Sequence, residues 1–119
     1  MIYEIRGELA TLNEHDGANR SNKFKGAALK KEMTEIVRLQ MLNKPKINKP
    51  SIITFNWFYS SKCDFDNIRF GAKYILDGIV KAGVMPDDNQ NWVKGFGGDY
   101  FTKCNKGEEK VIVEIEEFD

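Results

Sequence analysis

Ser51–Tyr59, SIITFNWFY, is a run of nine mostly β-branched and aromatic residues. Such a run is too short for a helix of its own and apolar enough to sit in the middle of a sheet, so it reads as a central strand. A central strand needs partners on both sides, and the rest of the chain has to supply them. Ile2–Glu8 and Lys110–Phe118 read as further strands, with Asn91–Phe96 and Tyr100–Lys103 as shorter extended pieces on either side of a Gly97-Gly98 turn.

Helical periodicity fills the intervals. From Lys23 to Leu42, apolar residues at Leu29, Met33, Ile36, Val37 and Met41 follow the 3.6-residue repeat, and Pro45 and Pro50 close the segment. A second helix is predicted over Ile68–Ala82, with Ile68, Ala72, Ile75, Leu76 and Ile79 as its buried stripe. Asp66 or Asn67 serves as its N-cap, and Gly83 stands where a left-handed terminal residue is favoured. Thr11–Asn22, rich in Asn, Gly, Asp and Ser, has no apolar period and reads as an irregular loop. The expected fold is therefore α+β (mixed α/β): a single domain over residues 1–119, with two helices on a mixed sheet in the order βαβαβ(β)β.

The first residues carry acidic and basic groups at once, unlike a signal peptide, and no apolar run approaches the roughly 20 residues of a spanning helix. The expectation is a soluble, cytoplasmic protein with no membrane partner. Cys63 and Cys104 are expected to be reduced structural thiols, and a zinc site with His15 lacks a close-spaced ligand pair.

Net charge is zero, but the charge is unevenly placed. Residues 1–62 hold eleven Lys and Arg against six acids, and residues 63–119 hold seven against twelve, so the halves carry +5 and −5. From Arg20 to Lys49 nine basic residues face only Glu32 and Glu35. Such a segment either neutralises backbone phosphates or is a solvated face. Its candidate DNA contacts are Arg20, Lys23, Lys25, Lys30 and Lys31, to which Lys62, outside the segment and just past the central strand's end, is added. The acidic tail Glu108–Asp119 is expected to lie away from DNA.

Phosphodiester hydrolysis commonly uses a divalent cation held by carboxylates, and Mg²⁺ suits such oxygens while keeping several waters. Asp64 and Asp66 stand two apart after the central strand, so on an extended segment both would point to one side, roughly 6.5–7 Å apart at the backbone. Alone, such a pair is as well explained by helix capping. The tandem Asp87-Asp88 after Pro86 is equally ordinary as turn chemistry. Trp57, Phe58, Tyr59 and Trp92 are better read as core aromatics than as a base-stacking platform.

Taken together, Asp64-Phe65-Asp66-Asn67, Lys73, Asp77-Gly78-Ile79-Val80-Lys81-Ala82-Gly83 and Asp87-Asp88-Asn89-Gln90 resemble the RusA family of Holliday-junction resolvases. The resemblance extends to the chain's length, the early Leu9-Thr11-Leu12-Asn13 loop, the basic first helix and the terminal strand, but its specific part is about thirty residues. It implies a Mg²⁺-dependent endonuclease that nicks four-way DNA junctions in paired incisions as a homodimer. It makes Asp64, Asp66 and Asp88 metal ligands and Lys73 the catalytic-site lysine, with Asn13 and Asn67 in support. One departure stands out: the family's lysine follows its D-x-D-N after two residues, and here Phe70 occupies that place. Arg69 is therefore a rival to Lys73, and the alternative to a nuclease is a weak or inactive module of the same fold that binds branched DNA. The expected helix of about fifteen residues, roughly 22 Å long, separates Asp66 from Asp88, which predicts active sites shared between two subunits.

Overall fold

The computed structural model describes residues 1–118. The chain runs β1 (Ile2–Arg6), α1 (Leu12–Ser21), α2 (Lys23–Met41), β2 (Ser51–Tyr59), α3 (Phe65–Arg69), α4 (Ala72–Lys81), β3 (Val93–Lys103) and β4 (Lys110–Glu117). The strands form one mixed sheet in the order β1-β4-β2-β3. β4 pairs antiparallel with both β1 and β2, whereas β3 runs parallel to β2, the two being joined by the crossover through α3 and α4. The α+β class and the interior place of Ser51–Tyr59 are as expected.

Strand alternation decides which face is covered. Tyr3 and Ile5, Ile53, Phe55 and Trp57, and Val111, Val113 and Ile115 point to one side, where they meet Met33, Val37 and Met41 of α2 and Tyr74, Ile75 and Ile79 of α4. Ile52, Thr54, Asn56 and Phe58, on the opposite face of β2, stay partly exposed. The helices pack tightly where they cross: a Cβ built on Gly78 of α4 would lie 2.5 Å from Cγ1 of Val37 on α2. No helix among the described residues is long and apolar enough to cross a membrane.

Three expectations need correction. Thr11–Asn22 is not an irregular loop: Leu12–Ser21 is a helix, opened by a capping box in which the Thr11 hydroxyl accepts from the Glu14 backbone N–H and the Glu14 carboxylate accepts from Thr11 N–H. None of its residues is buried, so no apolar stripe marks it, and it rests on α2 where Gly26 makes room for the Asn19 side chain.

The helix expected over Ile68–Ala82 starts earlier and breaks in two, with Asp64 rather than Asp66 or Asn67 at the N-cap. The break falls at Phe70-Gly71, where a Cβ on Gly71 would come within 3.2 Å of the Trp57 ring and 3.3 Å of Leu9. Both residues keep right-handed helical backbone, and the turn tightens there, with the Gly71, Lys73 and Tyr74 N–H groups donating to the Ile68, Phe70 and Gly71 carbonyls three residues back. Finally, the pieces around Gly97-Gly98 are one continuous strand. The pairing of β2 with β3 passes from Ile53–Phe96 to Thr54–Gly98, so Gly97 is taken up as an irregularity and not a turn, while Gly98 has φ +136°.

Candidate functional site

β2 delivers the chain to Ser60–Cys63, after which Asp64 caps α3 with extended backbone. The Asp64 carbonyl accepts from Asn67 N–H at 3.1 Å, while its carboxylate makes no cap bond. Asp66 is already in the first helical turn, and its Oδ1 accepts from Asn67 N–H at 3.1 Å. The expected same-side alternation therefore stops at Asp64, because a helix does not turn residues i and i+2 to one face. Both carboxylates are exposed. Between them Phe65 stacks face to face on Phe101 of β3, with centroids 4.0 Å apart and planes 1° apart, and meets Tyr59 edge-on, which pins the segment to the sheet.

The two supporting asparagines come together: Asn67 Oδ1 accepts from the Asn13 backbone N–H at 3.2 Å. The His15 ring lies 5.2 Å from that of Phe70. Through these contacts α1 leans on the segment that carries Asp64 and Asp66. Arg20, at the far end of α1, and Lys23, Lys25 and Lys31 on α2 are exposed, as is Lys62 beside Asp64. Lys30 is partly engaged, its Nζ 3.7 Å from Asp77 Oδ2.

Lys73 is exposed on α4, its Nζ 5.8 Å from the centre of the Phe70 ring. Asp77, four residues further along α4, faces Lys30 across the α2–α4 contact, its Oδ2 3.7 Å from the Lys30 Nζ. Arg69 is held differently. Its Nε donates to Asp99 Oδ2 at 2.9 Å, the Trp57 indole N–H donates to Asp99 Oδ1 at 2.9 Å, and the guanidinium carbon lies 5.5 Å from the centre of the Phe96 ring. Trp57 itself is 2% exposed, a core residue as expected.

Asp88 lies beyond the far end of α4. Its N–H donates to Asp87 Oδ1 at 2.8 Å, and Asp87 Oδ2 accepts from the Asn89 side chain at 3.0 Å, so Asp87 is spent on the turn. Partial burial, with Asp77 and Asp87 nearby, holds the Asp88 carboxyl above its ordinary range. Among the described residues no three His, Cys, Asp or Glu side chains gather into a metal site, and the parallel β2–β3 crossover has Asp64 and Asp66 at its start, past the end of β2, and Asp88 near its finish, before β3 begins. Either exposed carboxylate, Asp64 or Asp66, is of the kind a hydrated Mg²⁺ takes, since that ion needs only one or two such ligands from a protein.

Two features went unseen in the sequence. The bonds from Trp57 and Arg69 to Asp99 depend on the parallel register that puts Phe55 opposite Asp99, and no local pattern encodes it. Glu109, 8% exposed, accepts from Ser60 Oγ at 2.5 Å and from Gly107 N–H at 2.8 Å, and the Ser60 bond leads in bringing its carboxyl down to about 2. Neighbouring Glu8 is raised by burial and by Glu109. Most of the acidic tail is strand β4, and Asp119 lies outside the described residues. No protein-family model matches the sequence, and no curated protein matches it significantly.

Proposed function

We propose that this protein is a Mg²⁺-dependent endonuclease acting on branched DNA, with Asp64 and Asp66 as metal ligands in one subunit and Asp88 supplied by a second copy. The observation that carries the reading is the lean of α1 on α3. Asn13 and His15 bind the segment bearing two exposed carboxylates, and the same helix ends in the Arg20–Lys25 basic turn. From Asn13 to Arg20 is about 10 Å of helix, the span of roughly three phosphates of one strand along a duplex axis. A backbone lying along that basic turn would thus reach Asp64 and Asp66.

A bound Mg²⁺ would polarise a phosphoryl oxygen and help to ionise the attacking water. The chain's own part is to hold that ion through exposed carboxylates, to keep Asp66 turned outward through its bond to Asn67 N–H, and to neutralise neighbouring phosphates with Arg20, Lys23, Lys25 and Lys31. Lys62, exposed and two residues before Asp64, adds a further positive charge.

The test is incubation with a labelled four-way junction, with and without Mg²⁺, against linear duplex as control. Nicking of the junction that needs Mg²⁺ and spares the duplex is the expected result. Junction binding without nicking makes the protein a branched-DNA-binding module, and the absence of both removes DNA from its function.

A further inference from the structure

We infer that Arg69, and not Lys73, is the cation that grips a DNA phosphate beside Asp64 and Asp66, and that Asp99 is the positioning residue that aims it; this rests on the branched-DNA reading above. A guanidinium has five N–H donors in a rigid fork. Asp99 takes only Nε, at 2.9 Å, and among the described residues the two Nη groups donate to no protein acceptor. The Arg69 side chain is 42% exposed against 20% for Asp99, so the pair lies at the surface with Arg69 the more open partner.

Asp99 cannot swing freely, because its other oxygen accepts from the indole N–H of buried Trp57. The Phe96 ring supports the guanidinium from a further side. Arg69 also follows Asp66 by three residues within α3, a spacing that places both on one face of the helix.

Lys73 has none of this. It stands on α4, beyond the break at Phe70-Gly71, and among the described residues its ammonium makes no ion pair or hydrogen bond, the Phe70 ring lying 5.8 Å away. A pre-aimed fork loses less conformational freedom on meeting a phosphate than a four-carbon stem does, and it matches two phosphate oxygens at once. The Asp99 carboxylate offsets part of the charge, so the arrangement favours orientation over bulk attraction.

The experiment compares the intact protein with R69Q, R69K, D99N and K73Q. Four-way-junction affinity is measured over a salt series without divalent metal, and nicking at saturating DNA is measured with Mg²⁺. R69Q is expected to flatten the log–log salt dependence by about 0.9, the value of one phosphate contact, and R69K to keep it. In Mg²⁺, R69Q loses about 100- to 1,000-fold in nicking rate, as for removal of a donor that stabilises transition-state charge. R69K recovers only part of that loss, having the charge without the fork.

D99N keeps the Trp57 hydrogen bond through its amide oxygen. It leaves the salt slope intact and lowers the nicking rate about 10- to 100-fold through misaiming. If R69Q and D99N shift only the melting temperature, with slope and nicking unchanged, the Arg69–Asp99 pair is purely structural and the inference is overturned. It is equally overturned if K73Q loses the slope and the nicking while R69Q keeps them. A parent protein that binds the junction without nicking removes the nuclease reading, and the slopes still decide Arg69. A parent that binds no DNA removes both.

Discussion

The Tyr74 side chain is 1% exposed, and its hydroxyl has no hydrogen-bond partner among the described residues. An orphaned buried hydroxyl costs about 1–3 kcal/mol, so Tyr74→Phe is expected to stabilise the protein by about 1 kcal/mol in urea unfolding. Burial first, and Glu14 second, push its phenol up to about 12. The sign follows from the ionised form being disfavoured in the fold: the stabilisation is complete below the ordinary value of about 10 and is lost as pH rises through about 12. Tyr74→Phe should remove that alkaline component, which a urea series between pH 9 and pH 12 would reveal. Among the acids, if the proposed function holds, Asp64→Asn, Asp66→Asn and Asp88→Asn are each expected to abolish Mg²⁺-dependent nicking while junction binding stays within about threefold, since the proposal makes them ligands and not phosphate contacts. Near-normal cleavage by any one of the three takes that residue out of the ligand set. The D-x-D pair was legible at this scale. The tie of Arg69 to Asp99 was not, because its partners lie 30 positions apart in the chain.

Among the helices, the α2–α4 contact depends on a missing side chain. A Cβ on Gly78 meets Val37 Cγ1 at 2.5 Å and the Arg38 backbone nitrogen at 3.1 Å, so the neighbour to be displaced is partly main chain. Gly78→Val should therefore lose about 1–3 kcal/mol, read as a lower melting temperature with the helical signal of the folded state retained. On the basic hairpin, Lys23→Gln, Lys25→Gln or Lys31→Gln is each expected to flatten the salt dependence of DNA binding by about one unit for each phosphate that is no longer neutralised. Lys30→Gln should do less, because Asp77 already holds part of its charge. A slope unmoved by the triple substitution would make this face an ordinary solvated surface. Helix α1 was legible only as a cap: Thr11-Leu12-Asn13-Glu14 has the S/T-x-x-E form, but with no buried residue behind it the apolar period that marks α2 and α4 is missing.

For the molecule as a whole, the carboxylates sit at opposite ends of a unit. The expected rod of about fifteen residues is in fact two helices, and α4, at ten residues, is about 15 Å long. It still stands between Asp66 and Asp88, and the closing turn keeps Asp88 at its far end. A two-fold pair of chains with antiparallel α4 helices would place each Asp88 beside the other chain's Asp64 and Asp66, giving two equivalent sites for a junction with two strands to cut. Mixing an inactive Asp64→Asn/Asp66→Asn protein with an inactive Asp88→Asn protein under subunit exchange should then restore nicking of one strand. A site contained within one chain predicts no activity in the mixture.

What the amino-acid order determined by itself is what short-range chemistry can encode. The β-branched run Ser51–Tyr59 had to be an inner strand, the 3.6-residue stripe had to make α2, and Gly83, at φ +79°, had to end α4. Tertiary structure alone decided where those elements yield to one another. The second helix divides where Gly71 packs against Trp57, Gly26 against Asn19 lets α1 settle on α2, and the irregular pairing at Gly97 merges two short pieces into β3. Each of these depends on close approach between separate elements, and such approach depends on register and crossing geometry that no local pattern carries.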